Sequence, residues 1–244
     1  MKLLIVRHAD PDYSIDSLTE TGWKEAALLV PRMEKLDVKA FYVSPMGRAQ
    51  DTASLTLQHM GRTAETLPWL QEFNCPAVGL NGEPKLECLW DWLPATWTAN
   101  PNFYDPQGWA LEEPFCRYDI AAQAKWVGEE FDKLLARHGY VREGLLYRAE
   151  QANEDTIVLF CHFGLECVLL GHLLNVSPMV LWHGFCAAPT SVTTVTTEER
   201  RKGIASFRVN SFGDISHLYA AGQAPAFAAR FCETYDTPGQ RRDP

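Results

Sequence analysis

Four short apolar runs punctuate the chain, and each ends abruptly in a polar or charged group. Residues 3–6 (Leu-Leu-Ile-Val) stop at Arg7-His8, and residues 40–43 (Ala-Phe-Tyr-Val) stop at Ser44-Pro45, with Arg48 close behind. Residues 66–70 lead into Gln71-Glu72, and residues 156–160 run straight into Cys161-His162. Unbroken apolar runs of this length, without polar alternation, predict strands buried on both faces of a parallel sheet. The run at 66–70 contains Pro68 and predicts an edge strand.

Between the runs the spacing is helical. Trp23, Ala26, Ala27, Val30 and Met33 predict a helix to about residue 36, capped by Ser17 or Thr19 and kinked or shortened at Pro31. Further helices are predicted over 46–60, over 119–138 with Gly139 as a stop, and over 165–174. A charged connector reads as helical near 145–152, and residues 191–197 and 204–210 as a hairpin turning through 199–203. The tail from Ala221 is rich in Ala, Gly and Pro and predicts a loosely held strap.

Alternating strands and helices give an α/β protein: a three-layer α/β/α sandwich on a mostly parallel sheet. Residues 1–244 read as a single domain, interrupted at 73–118 by a segment without sustained period. That segment holds Trp90, Trp92, Trp97 and Trp109, and its acids outnumber its bases. It reads either as a cap with short helices or as an aromatic cluster packed beneath a long loop.

Composition narrows the function. With 46% hydrophobic and 22% charged residues the chain is expected to fold, and a net charge of −9 argues against a nucleic-acid partner. No apolar stretch is long enough to span a bilayer and no leader pattern opens the chain, so a cytoplasmic protein is expected. Seven cysteines without a CxxC suggest neither a disulfide framework nor a zinc site. Oligomeric state is left open, a homodimer included.

Polar groups just past the ends of neighbouring parallel strands converge on one crevice. Arg7, His8, Arg48, Glu72 and His162 would then share a site. Arginine forks bind phosphate oxygens, a neutral imidazole attacks phosphorus, and a second histidine, as a cation, stabilises the transferring group. A carboxyl with a raised pKa serves as acid and then base. An anion between Arg48 and the start of its helix would explain a cation at that end of the helix dipole. Nothing in this scheme calls for a metal or other cofactor.

Arg7-His8 after the first strand, Ser-Pro-x-x-Arg-Ala-x-x-Thr-Ala at 44–53, Glu72 and His162-Phe163-Gly164 resemble the histidine phosphatase superfamily. This group includes cofactor-dependent phosphoglycerate mutases and small-molecule phosphatases. The resemblance spans about residues 1–72 and 156–197. It implies His8 as the phosphorylated nucleophile, Arg7, Arg48 and His162 as the phosphate pocket, Glu72 as proton donor, and the Phe163 N–H as a further phosphate donor. Ala9 stands where the family usually has glycine.

Asp10-Pro11-Asp12-Tyr13-Ser14 replaces the Gln-Ser-x-x-Asn run of the mutases, and the acidic Trp-rich stretch replaces their basic substrate segment. A histidine acid phosphatase-like phosphomonoesterase is therefore expected, acting on a small substrate with a bulky or apolar leaving group against the tryptophans. The alternatives are a mutase-type phosphotransferase, a non-catalytic phosphate-binding module, or a metallohydrolase, which the two arginines disfavour. His59, His138, His172, His183 and His217 are read as lying outside the site, with His183 on a loop within reach of it. Cys161 reads as an inert buried thiol, and Tyr13, Asp10 and Glu20 as rim residues.

Overall fold

The first strand, β1 (Lys2–Arg7), shows why its apolar run is unbroken. Leu3 and Ile5 belong to one core cluster, Leu4 and Val6 to the other, so alternate side chains are buried on opposite faces of a sheet. The computed structural model describes residues 1–74, 89, 92–226, 234 and 236.

After β1 come a two-stranded ladder, β2 (Pro11–Asp12) and β3 (Ser17–Leu18), then α1 (Glu20–Met33), β4 (Val38–Val43), α2 (Gly47–Met60) and β5 (Ala64–Thr66). Further on lie α3 (Pro94–Trp97), α4 (Ile120–Arg137), β6 (Tyr140–Glu143), β7 (Leu146–Ala149), β8 (Thr156–Cys161) and α5 (Phe163–Leu174). The order closes with α6 (Pro178–Gly184), β9 (Val192–Arg201), β10 (Ile204–Asp214) and α7 (Ser216–Ala220). The main sheet runs β5-β4-β8-β1-β9-β10-β7-β6. Its pairings set β9 and β7 against the other strands, which share one direction.

Leu29 and Met33 of α1 and Ala49 and Ala53 of α2 cover one face, with Val158 and Phe160 beneath them. Phe131 and Leu134 of α4 and Leu165 and Leu169 of α5 cover the other, over Ile157 and Leu159. The result is the expected sandwich of helices around a sheet.

Three local expectations change. Helix α1 continues through Pro31, because Pro31 and Ala27 are both exposed and the Ala27 carbonyl that loses its partner faces water. The edge strand is only β5: Leu67 N–H still donates to Val43 O, Pro68 cannot donate, and Pro68–Leu70 winds into a 3-10 turn. The connector expected to be helical is the β6–β7 hairpin, turning at Gly144 with φ +63° and burying Tyr140 and Tyr147 against Phe207. Of the tail expected to be a strap, Ala226 N–H donates to Glu25 of α1, and residues 227–233, 235 and 237–244 lie outside the described residues.

Within the Trp-rich segment, Trp90 and the acids Glu83, Glu87 and Asp91 lie outside the described residues. The described remainder forms α3 and three 3-10 turns. Trp92, Phe103, Trp109 and Phe115 pack on one another, and Trp109 continues onto Trp182 and Phe73. These rings are core, so the expectation that Trp92 and Trp109 offer a surface to substrate is corrected: their faces are already engaged. Trp97, partly exposed, stacks on His183.

Candidate active site

The register of the parallel strands assembles the site. Arg7 of β1 pairs with Cys161 of β8, so the next residues, His8 and His162, emerge side by side with ring centroids 5.2 Å apart. His8 N–H donates to Cys161 O, and Ser44 N–H to Phe160 O, so the ladder carries one step past each strand. Three strand ends therefore deliver His8, His162 and Ser44 at one level.

His8 Nδ1 lies 2.7 Å from the Ala9 carbonyl. A carbonyl only accepts, so Nδ1 carries the proton and Nε2 keeps its lone pair. Burial, then Arg7 and Arg48, holds the His8 pKa well below its ordinary value, which keeps the ring neutral. On His162, Nε2 is 2.8 Å from Ser44 Oγ, and that hydroxyl also accepts the Met46 N–H. His162 Nδ1 is buried without a protein partner. Burial first, then His8, Arg48 and Arg7, pushes the His162 pKa far down. The expected cation is therefore corrected: these surroundings favour the neutral form of His162.

Both arginines are buried. Arg7 gives Nη1 to the Ala187 carbonyl and lies over the Phe163 ring at 5.9 Å, while its Nε has no partner. Arg48, in the first turn of α2, pairs Nη1 with Asp16 Oδ1 at 2.5 Å, and its Nε is likewise without a partner. Asp16 Oδ2 accepts the Gly47 N–H at 2.7 Å. The anion expected between Arg48 and its helix start is thus, in part, the chain's own Asp16 carboxylate.

Glu72 is brought in from the loop after the 3-10 turn. Its Oε1 accepts from Phe73 N–H and Leu165 N–H at 2.9 and 3.0 Å. Burial nonetheless outweighs these donors and the arginines and raises its pKa. Phe163 is the first residue of α5. Arg7 and Arg48 act electrostatically on His8, His162 and Glu72 alike.

Within the Ser-Pro-x-x-Arg-Ala-x-x-Thr-Ala segment, Thr52 Oγ1 donates to Arg48 O and accepts the Ala9 N–H at 2.9 Å, pinning the backbone beyond His8. Sequence reasoning missed Ser44, Thr52 and Asp16 as individual contributors, although two of them are fixed letters of that segment. It also missed Glu166, a carboxyl in the first turn of the otherwise apolar α5, buried to 1% exposure with a pKa raised to about 8, chiefly by burial. Among the other histidines, His172 is satisfied by Asp132 at 2.9 Å and His138 by the Tyr42 hydroxyl at 2.8 Å. The position of His138 suits a cation, but burial lowers its pKa. Cys161 is fully buried with its pKa pushed well up, an inert thiol. Tyr13 lies on the rim, its ring 5.4 Å from the Arg48 guanidinium, and Glu20 is an exposed partner of Lys24.

The sequence profile of the histidine phosphatase superfamily (branch 1) matches residues 3–210. The chain belongs to that superfamily. No curated protein sequence matches it. Solved structures share its fold at low identity. A mycobacterial glucosyl-3-phosphoglycerate phosphatase is 19% identical with a TM-score of 0.60, covering 87% of this chain and 98% of its own. A mutant phosphoserine phosphatase from Entamoeba histolytica, in complex with phosphoserine, is 19% identical with a TM-score of 0.59, covering 89% and 98%. The same phosphatase in complex with 3-phosphoglyceric acid gives a TM-score of 0.56 at 18% identity, again covering 89% and 98%. Ala9, next to His8, is fully buried. Among the described residues, no helix is long and apolar enough to cross a membrane.

Proposed function

We propose that this superfamily member is a phosphomonoester hydrolase working through a phosphohistidine on His8. The observation that carries the reading is a neutral His8 with Nε2 free, beside His162 and between two buried arginines that each keep an unpaired Nε. A phosphoryl group on these donors takes Arg7 and Arg48 as charge partners and the His162 Nδ1–H and Phe163 N–H as hydrogen-bond donors. His8 Nε2 attacks phosphorus and the ester P–O bond breaks, its electron pair leaving with the alcohol oxygen, which takes the proton of Glu72. Water then gives a proton to Glu72 and attacks phosphorus; the P–N bond breaks and phosphate departs. No step calls on a metal or cofactor.

The leaving group is uncharged and apolar. Asp10, Asp12 and Asp16 share one loop beside Arg48, so a second anionic group on the substrate meets like charge there. Tyr13 and Ile15 of the same loop are 68% and 69% exposed and offer apolar surface in place of the buried tryptophans. The segment 73–118 belongs to the same domain as the rest.

The test is hydrolysis of p-nitrophenyl phosphate from pH 4 to 8 with a chelator present, comparing the intact protein with His8→Ala. Chelator-resistant turnover that disappears in the variant supports the reading. Faster turnover of sugar phosphates than of aryl phosphates would sink the leaving-group assignment while leaving the hydrolase standing.

A further inference from the structure

Glu166 is the buried acid for which the proposed reaction has no use. Its backbone N–H donates to His162 O, so its side chain stands one helical turn below the second histidine. One carboxyl oxygen takes the hydroxyl of Thr193 on β9, while Oε1 is buried without any partner. Thr193 Oγ1 also accepts the Gly213 N–H. Arg7 Nε and Ser191 Oγ are also buried and unpaired, and Arg7 N–H donates to Ser191 O. The rear of the pocket thus holds an acid, a cation and a hydroxyl, each with unused hydrogen-bonding capacity, beside the residues that would grip a phosphoryl group.

An isolated carboxylate in such a place is costly, and the nearby cation able to relieve it is Arg7. We propose that Glu166 is a positioning residue of the anion pocket: protonated, it leaves the charge of Arg7 to the phosphoryl group, and ionised, it claims Arg7 for itself. The inference rests on the assignment of Arg7 to the phosphate pocket made above. The groups acting on Glu166 are Arg7 from β1, Glu72 from the loop before the Trp-rich segment, and Thr193 from β9. Burial first, then the charge of Glu166, pushes the thiols of Cys161 on β8 and Cys167 on α5 well above the ordinary thiol range, so both stay protonated. From α6, Trp182 faces the start of α5 through Gly164 O, and His183 is turned to the Met179 carbonyl. From β10, the Gly213 N–H enters the network through Thr193. Binding of a dianion and loss of the Glu166 proton therefore oppose each other, and the coupling is reciprocal.

Sulfate tests this without turnover, because its charge does not change between pH 7 and 9.5. Calorimetric titration of the whole protein should give a sulfate Kd that rises about tenfold over that range, within the usual span of such couplings. In Glu166→Gln the rise should shrink to less than about twofold, since the amide cannot ionise. Thr193→Val removes the donor that favours the carboxylate, so the wild-type transition should move to higher pH. A Gln variant with the wild-type pH dependence overturns the proposal, as does a Val variant whose transition stays in place. Absence of sulfate binding at pH 7 overturns instead the pocket assignment on which the proposal stands.

Discussion

At the scale of single residues, three environments decide the chemistry. His8 is neutral because it is buried beside two guanidinium groups, so its nucleophilic form persists below the pH at which a free imidazole takes a proton. His8→Ala should lower kcat for p-nitrophenyl phosphate by at least about a thousandfold, with a melting temperature close to that of the parent. Glu72, with a pKa raised by burial, suits proton donation to a poor leaving group. Glu72→Gln should therefore cost roughly 10²–10⁴ in kcat on alkyl phosphates and much less on p-nitrophenyl phosphate, whose phenolate leaves unaided. A comparison of the two substrates on one variant reads this directly. Glu166 bears on stability as well. Its folded pKa of about 8 lies above the unfolded value of 4.5, so the folded state binds the proton more tightly. The stability this contributes is complete below pH 4.5 and is lost as pH rises through 8. Glu166→Gln should gain on the parent by roughly 1.4 kcal/mol per pH unit across pH 6.5 to 8 and no further above, as denaturant titrations at stepped pH would show.

At the scale of elements, the loop between β1 and α1 is held by close backbone approaches that only glycine allows. A Cβ on Gly22 would sit 2.2 Å from the Asp10 carbonyl oxygen, and one on Gly47 would sit 2.1 Å from that of Asp16. Gly47→Ala must push away the turn between β2 and β3 that carries Asp16, and with it the partner of Arg48. The variant should raise KM for an aryl phosphate severalfold more than it lowers kcat, because Arg48 is displaced while His8 is not. Steady-state kinetics separate the two. These contacts also mark where sequence reading stops. The strand ends, and with them Arg7, His8, Arg48, Glu72 and His162, were legible because apolar runs and parallel pairing obey local rules. The β6–β7 hairpin was not, since Glu143-Gly144-Leu145 carries a weak turn signal and the hairpin depends on Tyr140 and Tyr147 finding Phe207 far along the chain. Asp16 and Glu166 were hidden for the same reason: their partners, Arg48 and Thr193, are distant in sequence.

At the scale of the whole molecule, the Trp-rich segment and the candidate site are joined through one aromatic chain. Trp109 packs edge-on against Trp182 at 5.3 Å and meets Phe73 at 6.5 Å. Trp182 donates Nε1–H to Gly164 O at 2.9 Å in the first turn of α5, and Phe73 follows Glu72 and donates to its carboxylate. The rings that look like a remote core thus reach the segments on either side of Glu72, whose burial is the first cause of its raised pKa. Trp109→Ala should remove about 3–5 kcal/mol of stability, the usual cost of deleting a buried tryptophan. It should also admit water near Glu72, lowering its pKa, so that the proton needed by the leaving group is lost earlier as pH rises. The alkaline limb of kcat on an alkyl phosphate should then move to lower pH in Trp109→Ala, while the limb for p-nitrophenyl phosphate, which has no need of that proton, stays where it was. A Trp109→Phe variant, which refills most of the space, should recover both the stability and the position of the limb; if the limb does not return with the packing, burial by this cluster is not what tunes Glu72.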